Sequence, residues 1–164
     1  MMRKIIALLL TAVLVLGLVG CVQTADTAAF YYTRYEDSYL YGQENAVIAA
    51  EYRDITGHAG DLKYLLTLYF HGPTMEALTS PFPSGMGLRS VEQVGDTLFI
   101  ELSSSLTMLG GTDLTLACAC LARTCFGLSQ AEAVSITAEG LGIVSMTLTR
   151  SSLLLVDDTP IPEK

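Results

Sequence analysis

Histidine and basic residues are scarce in this sequence, and their scarcity excludes several classes of protein. The 164 residues include two histidines, and nine lysines and arginines stand against seventeen aspartates and glutamates, for a formal net charge of −8. The basic residues form no cluster, so the chain offers no surface for the phosphates of a nucleic acid or for anionic headgroups. We therefore expect no nucleic-acid partner.

Residue patterns that carry catalysis are also missing. Neither His58 nor His71 has a partner at a spacing that suits a metal ion or a catalytic dyad, and no Gly-x-Ser-x-Gly motif is present. The segment Gly110-Gly111-Thr112 lacks the lysine and the spacing of a phosphate-binding loop, so we interpret it as a linker followed by a helix cap. We predict no catalytic residue, no metal ligand and no cofactor, and we expect that the protein is not an enzyme.

Long apolar runs are limited to one, at the N-terminus. Arg3 and Lys4 precede an apolar stretch of 16 residues, Ile5 to Gly20. This stretch is shorter than the roughly 20 residues that span a bilayer. A basic start, an apolar middle and small residues before a cleavage point are typical of a secretory signal peptide. The alternatives are an uncleaved membrane anchor and ordinary secretion with a chance cysteine.

The residues Leu-Val-Gly-Cys, which end at Cys21, resemble the lipobox of bacterial lipoproteins. The resemblance implies that the Cys21 thiol receives a diacylglyceryl group and that residues 1–20 are removed as a signal peptide. Each buried CH₂ of an acyl chain contributes about 0.8 kcal/mol. We therefore expect membrane lipid on Cys21 to hold the protein at the extracytoplasmic face of the cell membrane. Residues 21–29 are expected to form a short tether.

The other cysteines lie in a single predicted helix. The segment 112–126, which contains Cys118, Cys120 and Cys125, has a helical pattern. On such a helix Cys118 and Cys125 are roughly 10 Å apart along the axis, and Cys118 and Cys120 point to nearly opposite faces, so a disulfide is not expected. We predict three small buried hydrophobic side chains. Cys120 is expected to be the most accessible, because it shares a side of the helix with Arg123.

Strand and helix patterns alternate over the rest of the sequence. Asp61 is a suitable N-cap for a helix that Gly72-Pro73 ends. Gly95-Asp96 separates two strand patterns and predicts a hairpin. We predict helices between Asp61 and Gly72 and between Thr112 and Gly127, and strands at residues 30–35, 39–41, 46–53, 88–94, 97–103, 133–138, 143–148 and 153–156.

This order of elements predicts one α+β domain over residues 30–156. Two helices and hairpin-type connections favour an arrangement in which the helices pack on a mostly antiparallel sheet. Residues 157–164 contain two prolines and are expected to form a disordered tail.

An ordered set of short motifs runs from His71 to Gly140. The set comprises Gly72-Pro73, Leu78, Ser80–Gly85, Ser90-Val91, Gly95–Ser103, Gly110-Gly111, Leu116–Phe126 and Val134–Gly140. In this order the motifs resemble the GerMN domain, which is named for a sporulation and germination protein. The resemblance implies a fold similar to ring-building domains of secretion-like assemblies. It also implies a role in envelope assembly during sporulation or in germination, without a catalytic site. The three cysteines of the second helix depart from the family pattern.

Two functions remain open for such a chain. The first is a non-enzymatic, membrane-anchored lipoprotein that contacts envelope proteins. The second is a lipoprotein that binds peptidoglycan or a small ligand through an aromatic contact surface. We predict that this surface comprises Tyr31, Tyr32, Tyr35 and Phe82, with the tyrosines on an edge strand where they can stack on glycan or accept a partner strand. The alternative for the tyrosines is a half-buried strand with hydroxyls at the rim.

Overall fold

Seven strands and two α-helices form the described part of the chain, which a computed structural model gives for residues 26–34, 47–140 and 144–153. The strands are β1 (Thr27–Arg34), β2 (Ile48–Asp54), β3 (Leu78–Thr79), β4 (Leu88–Val94), β5 (Thr97–Leu102), β6 (Ala133–Ala138) and β7 (Val144–Thr149). The helices are α1 (Leu62–Phe70) and α2 (Gly111–Leu128), and short 3₁₀ helices cover Ser104–Met108 and Arg150–Leu153.

Some of the predicted features fall on residues that the structure does not describe. The predicted signal peptide (1–20), Cys21, Tyr35, the predicted strand 39–41 and the predicted tail 157–164 lie outside the described ranges. Within those ranges, none of the helices has both the length and the apolar character needed to cross a membrane.

The smaller sheet is antiparallel and has the order β2-β1-β3. Tyr32 of β1 pairs with Ala49 of β2, and Thr33 pairs with Thr79 of β3. The strand β1 lies between β2 and β3 and is therefore not an edge strand over its full length. Since β3 pairs only with Thr33 and Arg34, the edge of β1 at Tyr31 has no strand partner among the described residues. Since β1 begins at Thr27, residues 27–29 belong to this sheet and not to the predicted tether.

The larger sheet has the order β4-β5-β6-β7. Gly95, at φ +58°, makes the predicted turn between β4 and β5, where Val94 pairs with Thr97. The strands β5 and β6 are parallel and are connected through α2, while the other pairs are antiparallel. The predicted α+β class is confirmed, but the strands divide between two sheets rather than forming one.

The helix α1 forms as the sequence predicts. The Asp61 carboxylate accepts a hydrogen bond of 3.0 Å from the Tyr64 N–H and caps the N-terminus. Leu65, Leu66 and Tyr69 are buried on one face. The Tyr69 ring stacks on Tyr32 of β1 with centroids 4.9 Å apart. The helix ends as predicted, because Gly72 adopts φ +91°, a conformation that favours glycine.

The helix α2 differs from its prediction at both ends. Gly110, not Thr112, is the N-cap residue, and the helix continues one residue past Gly127 to Leu128. No side chain caps its N-terminus. Gly127 is not among the glycines with a positive φ, so its backbone continues the helix instead of ending it.

The three cysteines of α2 are buried and unpaired, as predicted. All three are fully inaccessible, so the prediction that Cys120 is accessible is wrong. The reason is that Cys120 lies close to Tyr32 and Tyr69 in the core rather than facing solvent. Burial raises the pKa of each thiol, that of Cys118 to about 11.

Both helices attach to β1 through the backbone of Tyr31. The Tyr31 N–H donates a hydrogen bond of 2.9 Å to the Thr124 hydroxyl of α2. The Tyr69 hydroxyl of α1 donates one of 3.0 Å to the Tyr31 carbonyl. Successive residues of an antiparallel strand point their backbone groups to opposite sides, so side chains from the helices bind the edge of β1 that faces away from β2.

The chain after β7 is only partly as predicted. Leu153 belongs to the 3₁₀ helix Arg150–Leu153 instead of starting a strand, and residues 154–156 lie outside the described ranges. Arg150 donates hydrogen bonds of 3.0 Å to the carbonyls of Phe126 and Ser129 and one of 2.9 Å to Ala131. This guanidinium therefore satisfies carbonyls at and just after the C-terminus of α2.

We expect the Thr124→Val substitution to destabilise the fold by about 1–3 kcal/mol, because it removes the hydroxyl that accepts the part-buried hydrogen bond of the Tyr31 N–H. The matched control is Thr115→Val on the exposed part of the same helix, whose hydroxyl also bonds the carbonyl four residues before it. This control should change the free energy of unfolding by less than about 0.5 kcal/mol. Urea unfolding measures both, and equal effects of the two substitutions would contradict the role given to Thr124.

Candidate functional site

A largely buried pair of opposite charges lies on β2. The Glu51 carboxylate forms an ion pair of 2.8 Å with the Arg53 guanidinium, and their side chains are 4% and 11% exposed. Glu51 also accepts hydrogen bonds from the Thr74 hydroxyl at 2.7 Å and the Thr74 N–H at 2.9 Å. Burial alone would raise the pKa of Glu51, but the hydrogen bonds from Arg53 and Thr74 outweigh burial and hold the pKa below its ordinary value.

The Arg53 guanidinium is fully engaged by other protein groups. It donates to the Gly72 carbonyl at 2.8 Å and to the Tyr32 hydroxyl at 3.1 Å, and lies over the Phe30 ring at 5.0 Å. This pair of charges joins β2 to the segment after α1. Because its partners belong to the protein and its side chains are buried, it is a structural ion pair and offers no open position to a substrate.

An open groove lies where β1 ends. Its volume is about 580 Å³, within the range of small-ligand sites. It is lined from the end of β1, the proline-containing loop after β3, and the segment that leads into α2. The lining residues are Thr33, Arg34, Val47, Thr79, Pro81, Phe82, Pro83, Met108, Leu109, Asp113 and Leu116.

Arg34 is the only cation among these lining residues, and Asp113 is the only anion. The Arg34 Nε atom is buried and has no hydrogen-bond partner in the described part of the chain. A buried donor without a partner costs about 1–3 kcal/mol. No ion pair joins Arg34 to Asp113 within the described ranges, so each keeps its charge available to a ligand in the groove.

The rim of the groove carries exposed apolar side chains. Met108 is 76% exposed and Val47 is 42% exposed. Pro81 and Pro83 stiffen the loop between them, because proline fixes its own backbone angle φ. Apolar walls around a single guanidinium favour a ligand that combines apolar groups with a negative charge.

Two of the four residues of the predicted contact surface are buried. Tyr32 is fully buried and Phe82 is 6% exposed, so the hypothesis that these two side chains lie on an open surface is wrong. The reason is that each packs on α1, where Tyr69 contacts both rings. Tyr31 is half-buried beneath the Arg123 guanidinium, at 4.7 Å. Of the predicted residues that the structure describes, Phe82 alone lines the groove.

Three lining residues, Arg34, Val47 and Met108, have no signal in the sequence. Arg34 stands alone in an aromatic segment, and Met108 comes after a run of serine and threonine that matches no motif. The loop Ser80–Gly85 was a usable signal, because its two prolines predict a fixed loop of the kind that lines binding sites.

The two histidines have structural positions. His58 stacks on Tyr64 with ring centroids 3.8 Å apart. His71 is the C-cap residue of α1, and its N–H donates to carbonyls of that helix. Among the described residues, no group of three or more His, Cys, Asp or Glu side chains is placed to hold a metal ion.

These features define an α+β domain with two sheets, a helix α2 whose residues are mostly buried over Ala117–Phe126, and an open groove among the described residues. Residues 30–143 match the family Germane, described as sporulation and spore germination. The match covers more than half of the chain, so this chain belongs to the Germane family. The GerMN resemblance predicted from the motifs is thereby confirmed.

The solved structures that are similar to this chain include the following two. The tandem GerMN domains of the sporulation protein GerM from Bacillus subtilis align with a TM-score of 0.56 and 14% identity, over 82% of this chain and 49% of that one. This chain thus spans about half of that tandem structure, and the likeness concerns the fold. A candidate lipoprotein from Clostridium perfringens aligns with a TM-score of 0.48 and 16% identity, over 77% of this chain and 88% of that one. No curated protein matches this chain.

We expect Glu51→Gln to destabilise the protein by about 3 kcal/mol at pH 7, because it leaves the Arg53 guanidinium buried without its charge partner. The folded protein holds the pKa of Glu51 below 4.5, so the stabilisation is present above that pH and is lost as the pH falls below it. The stability difference between wild type and variant should therefore shrink from pH 5 toward pH 3.

Urea unfolding at each pH measures this difference. Glu139→Gln is the control, because Glu139 forms an ion pair with Arg89 at the surface and should contribute less than about 1 kcal/mol. A difference for Glu51→Gln that stays constant from pH 7 to pH 3 would contradict the role of the Glu51 charge.

Proposed function

We propose that this chain is a lipid-anchored, non-enzymatic protein of the cell envelope that acts through contacts with other envelope proteins in sporulation or germination. Residues 1–20 serve as the signal peptide, and lipid on Cys21 holds the domain at the extracytoplasmic face of the membrane. The observation that carries the proposal is the lipobox-like segment ending at Cys21, placed directly before a domain of the Germane family.

The described side chains support a role in contact rather than catalysis. The buried charges Glu51 and Arg53 bind each other and the backbone. The thiols of α2 are inaccessible, and burial raises their pKa, so they are poor nucleophiles. A short tether before β1 keeps the domain close to the membrane, where envelope proteins are within reach.

Replacement of Cys21 by alanine should release the protein from the membrane and abolish its function, because the acyl chains provide the attachment. Membrane fractionation and labelling with radioactive palmitate measure this directly. Cys118→Ala is the matched control, since it removes a thiol from the core and should leave both the membrane fraction and the label unchanged. Membrane retention of the Cys21→Ala protein would contradict lipid anchoring.

A second candidate function is the binding of peptidoglycan or a small ligand. The groove favours it, because it brings Arg34, Pro81 and Phe82 together with two exposed apolar side chains. Its position differs from the aromatic strand predicted from the sequence, but it includes the loop Ser80–Gly85.

Incubation with purified cell wall in low salt should sediment the wild-type protein if this candidate is correct. Met108→Asp places a charge on the exposed rim and should lower the sedimented fraction several-fold. Val94→Asp changes a side chain of similar exposure, 57%, at the β4–β5 turn and should have no effect. Absence of wild-type protein from the pellet would exclude this candidate.

A further inference from the structure

We propose that the groove binds the carboxylate end of a short peptide with small apolar side chains, and that Arg34 forms the ion pair with that carboxylate. This inference rests on the second candidate function, the binding of peptidoglycan or a small ligand, and names the chemical class of that ligand. The groove supplies a cation, apolar walls and a volume of about 580 Å³, which accommodates two or three small residues.

Three other arginines already have binding partners within the protein. Arg53 binds the Gly72 carbonyl after α1, and Arg150 binds the Phe126 and Ser129 carbonyls at the end of α2. Arg89 pairs with Glu139 on the surface. Arg34 differs from these three, because its buried Nε has no partner in the described ranges. The Nε of Arg123 shares this feature, but the Arg123 guanidinium donates to the Leu153 carbonyl, lies over the Tyr31 ring and does not line the groove.

A carboxylate is the anion that suits this guanidinium. The planar guanidinium donates two parallel hydrogen bonds to the two oxygens of a carboxylate, and such charge-assisted bonds are among the strongest in proteins. A carboxylate beside Arg34 would give the orphaned Nε an acceptor. The protein has an acidic balance overall, so a single cation in a groove marks the position where an anion is favoured.

The walls of the groove are apolar. Pro81, Pro83, Leu109 and Leu116 present apolar surface to the bound chain. Apolar side chains of the ligand would pack against these walls, and a volume of about 580 Å³ favours short ones. Peptide stems of the cell wall combine short methyl side chains with terminal carboxylates.

Asp113 sets a second condition on the ligand. It lies in the first turn of α2, where the helix dipole stabilises a negative charge, and it lines the same groove as Arg34. Its carboxylate repels a second negative charge on the ligand. The groove should therefore prefer a peptide with a single carboxylate over one with two.

The test is isothermal titration calorimetry on the full chain in detergent, with N-acetyl-D-alanyl-D-alanine as the probe and its C-terminal amide as the comparison. The carboxylate form should bind at least tenfold more tightly than the amide, which corresponds to about 1.4 kcal/mol. Arg34→Gln should remove this preference, and Arg34→Lys should retain part of it. Arg89→Gln is the matched control and should bind as the wild type does.

Equal binding of the carboxylate and amide probes by the wild type, or no binding of either, would overturn the inference. So would an unchanged preference in Arg34→Gln, provided that circular dichroism shows the variant to be folded. Cell-wall sedimentation shows whether an unexpected result contradicts the proposed peptide carboxylate or the proposed binding of the cell wall. Sedimentation that Arg34→Gln leaves intact contradicts this inference alone. Dipeptide binding without cell-wall sedimentation contradicts peptidoglycan as the ligand of the second candidate function and leaves the ligand class proposed here standing.

Discussion

The backbone of Tyr31 is the point on which the described fold depends. A strand leaves unpaired N–H and C=O groups along any edge without a neighbour, and burying such groups without partners costs about 1–3 kcal/mol each. At Tyr31 the partners are side chains of helices, the Thr124 hydroxyl and the Tyr69 hydroxyl. Since α2 lies against β1 here, it contacts both the smaller sheet and β6 of the larger one. The two hydrogen bonds therefore fix where both helices lie relative to β1.

Two guanidinium groups bind backbone carbonyls near the C-terminal ends of the two helices. Arg53 binds the Gly72 carbonyl after α1, and Arg150 binds the Phe126 carbonyl near the end of α2. Carbonyls at the C-terminus of a helix lack partners within the helix, so a cation there satisfies both hydrogen bonding and the dipole. These two arginines serve the fold, which leaves Arg34 as the cation that the groove can offer to a ligand.

Local features of the sequence predicted local structure correctly. Asp61 caps α1, Gly95 turns the hairpin, and Leu98 and Ile100 alternate inward along β5, because each of these depends on residues a few positions apart. The position of β1 was not predictable in this way, since its partner β3 lies more than forty residues away. For the same reason the helical position of Cys120 did not reveal that its side chain is fully buried. The groove combines Arg34, Pro81 and Asp113 from three distant segments, so no spacing in the sequence could assemble it.

At Tyr31 the side chains of two helices bind the backbone groups that a neighbouring strand would otherwise bind. Amide hydrogen exchange at this residue tests that arrangement most directly. We expect the Tyr31 N–H to exchange as slowly as the amides of the central strand β5, because Thr124 accepts its hydrogen bond and exchange then requires the fold to open. An amide at Tyr31 that exchanges rapidly while the amides of β5 remain protected would contradict this arrangement.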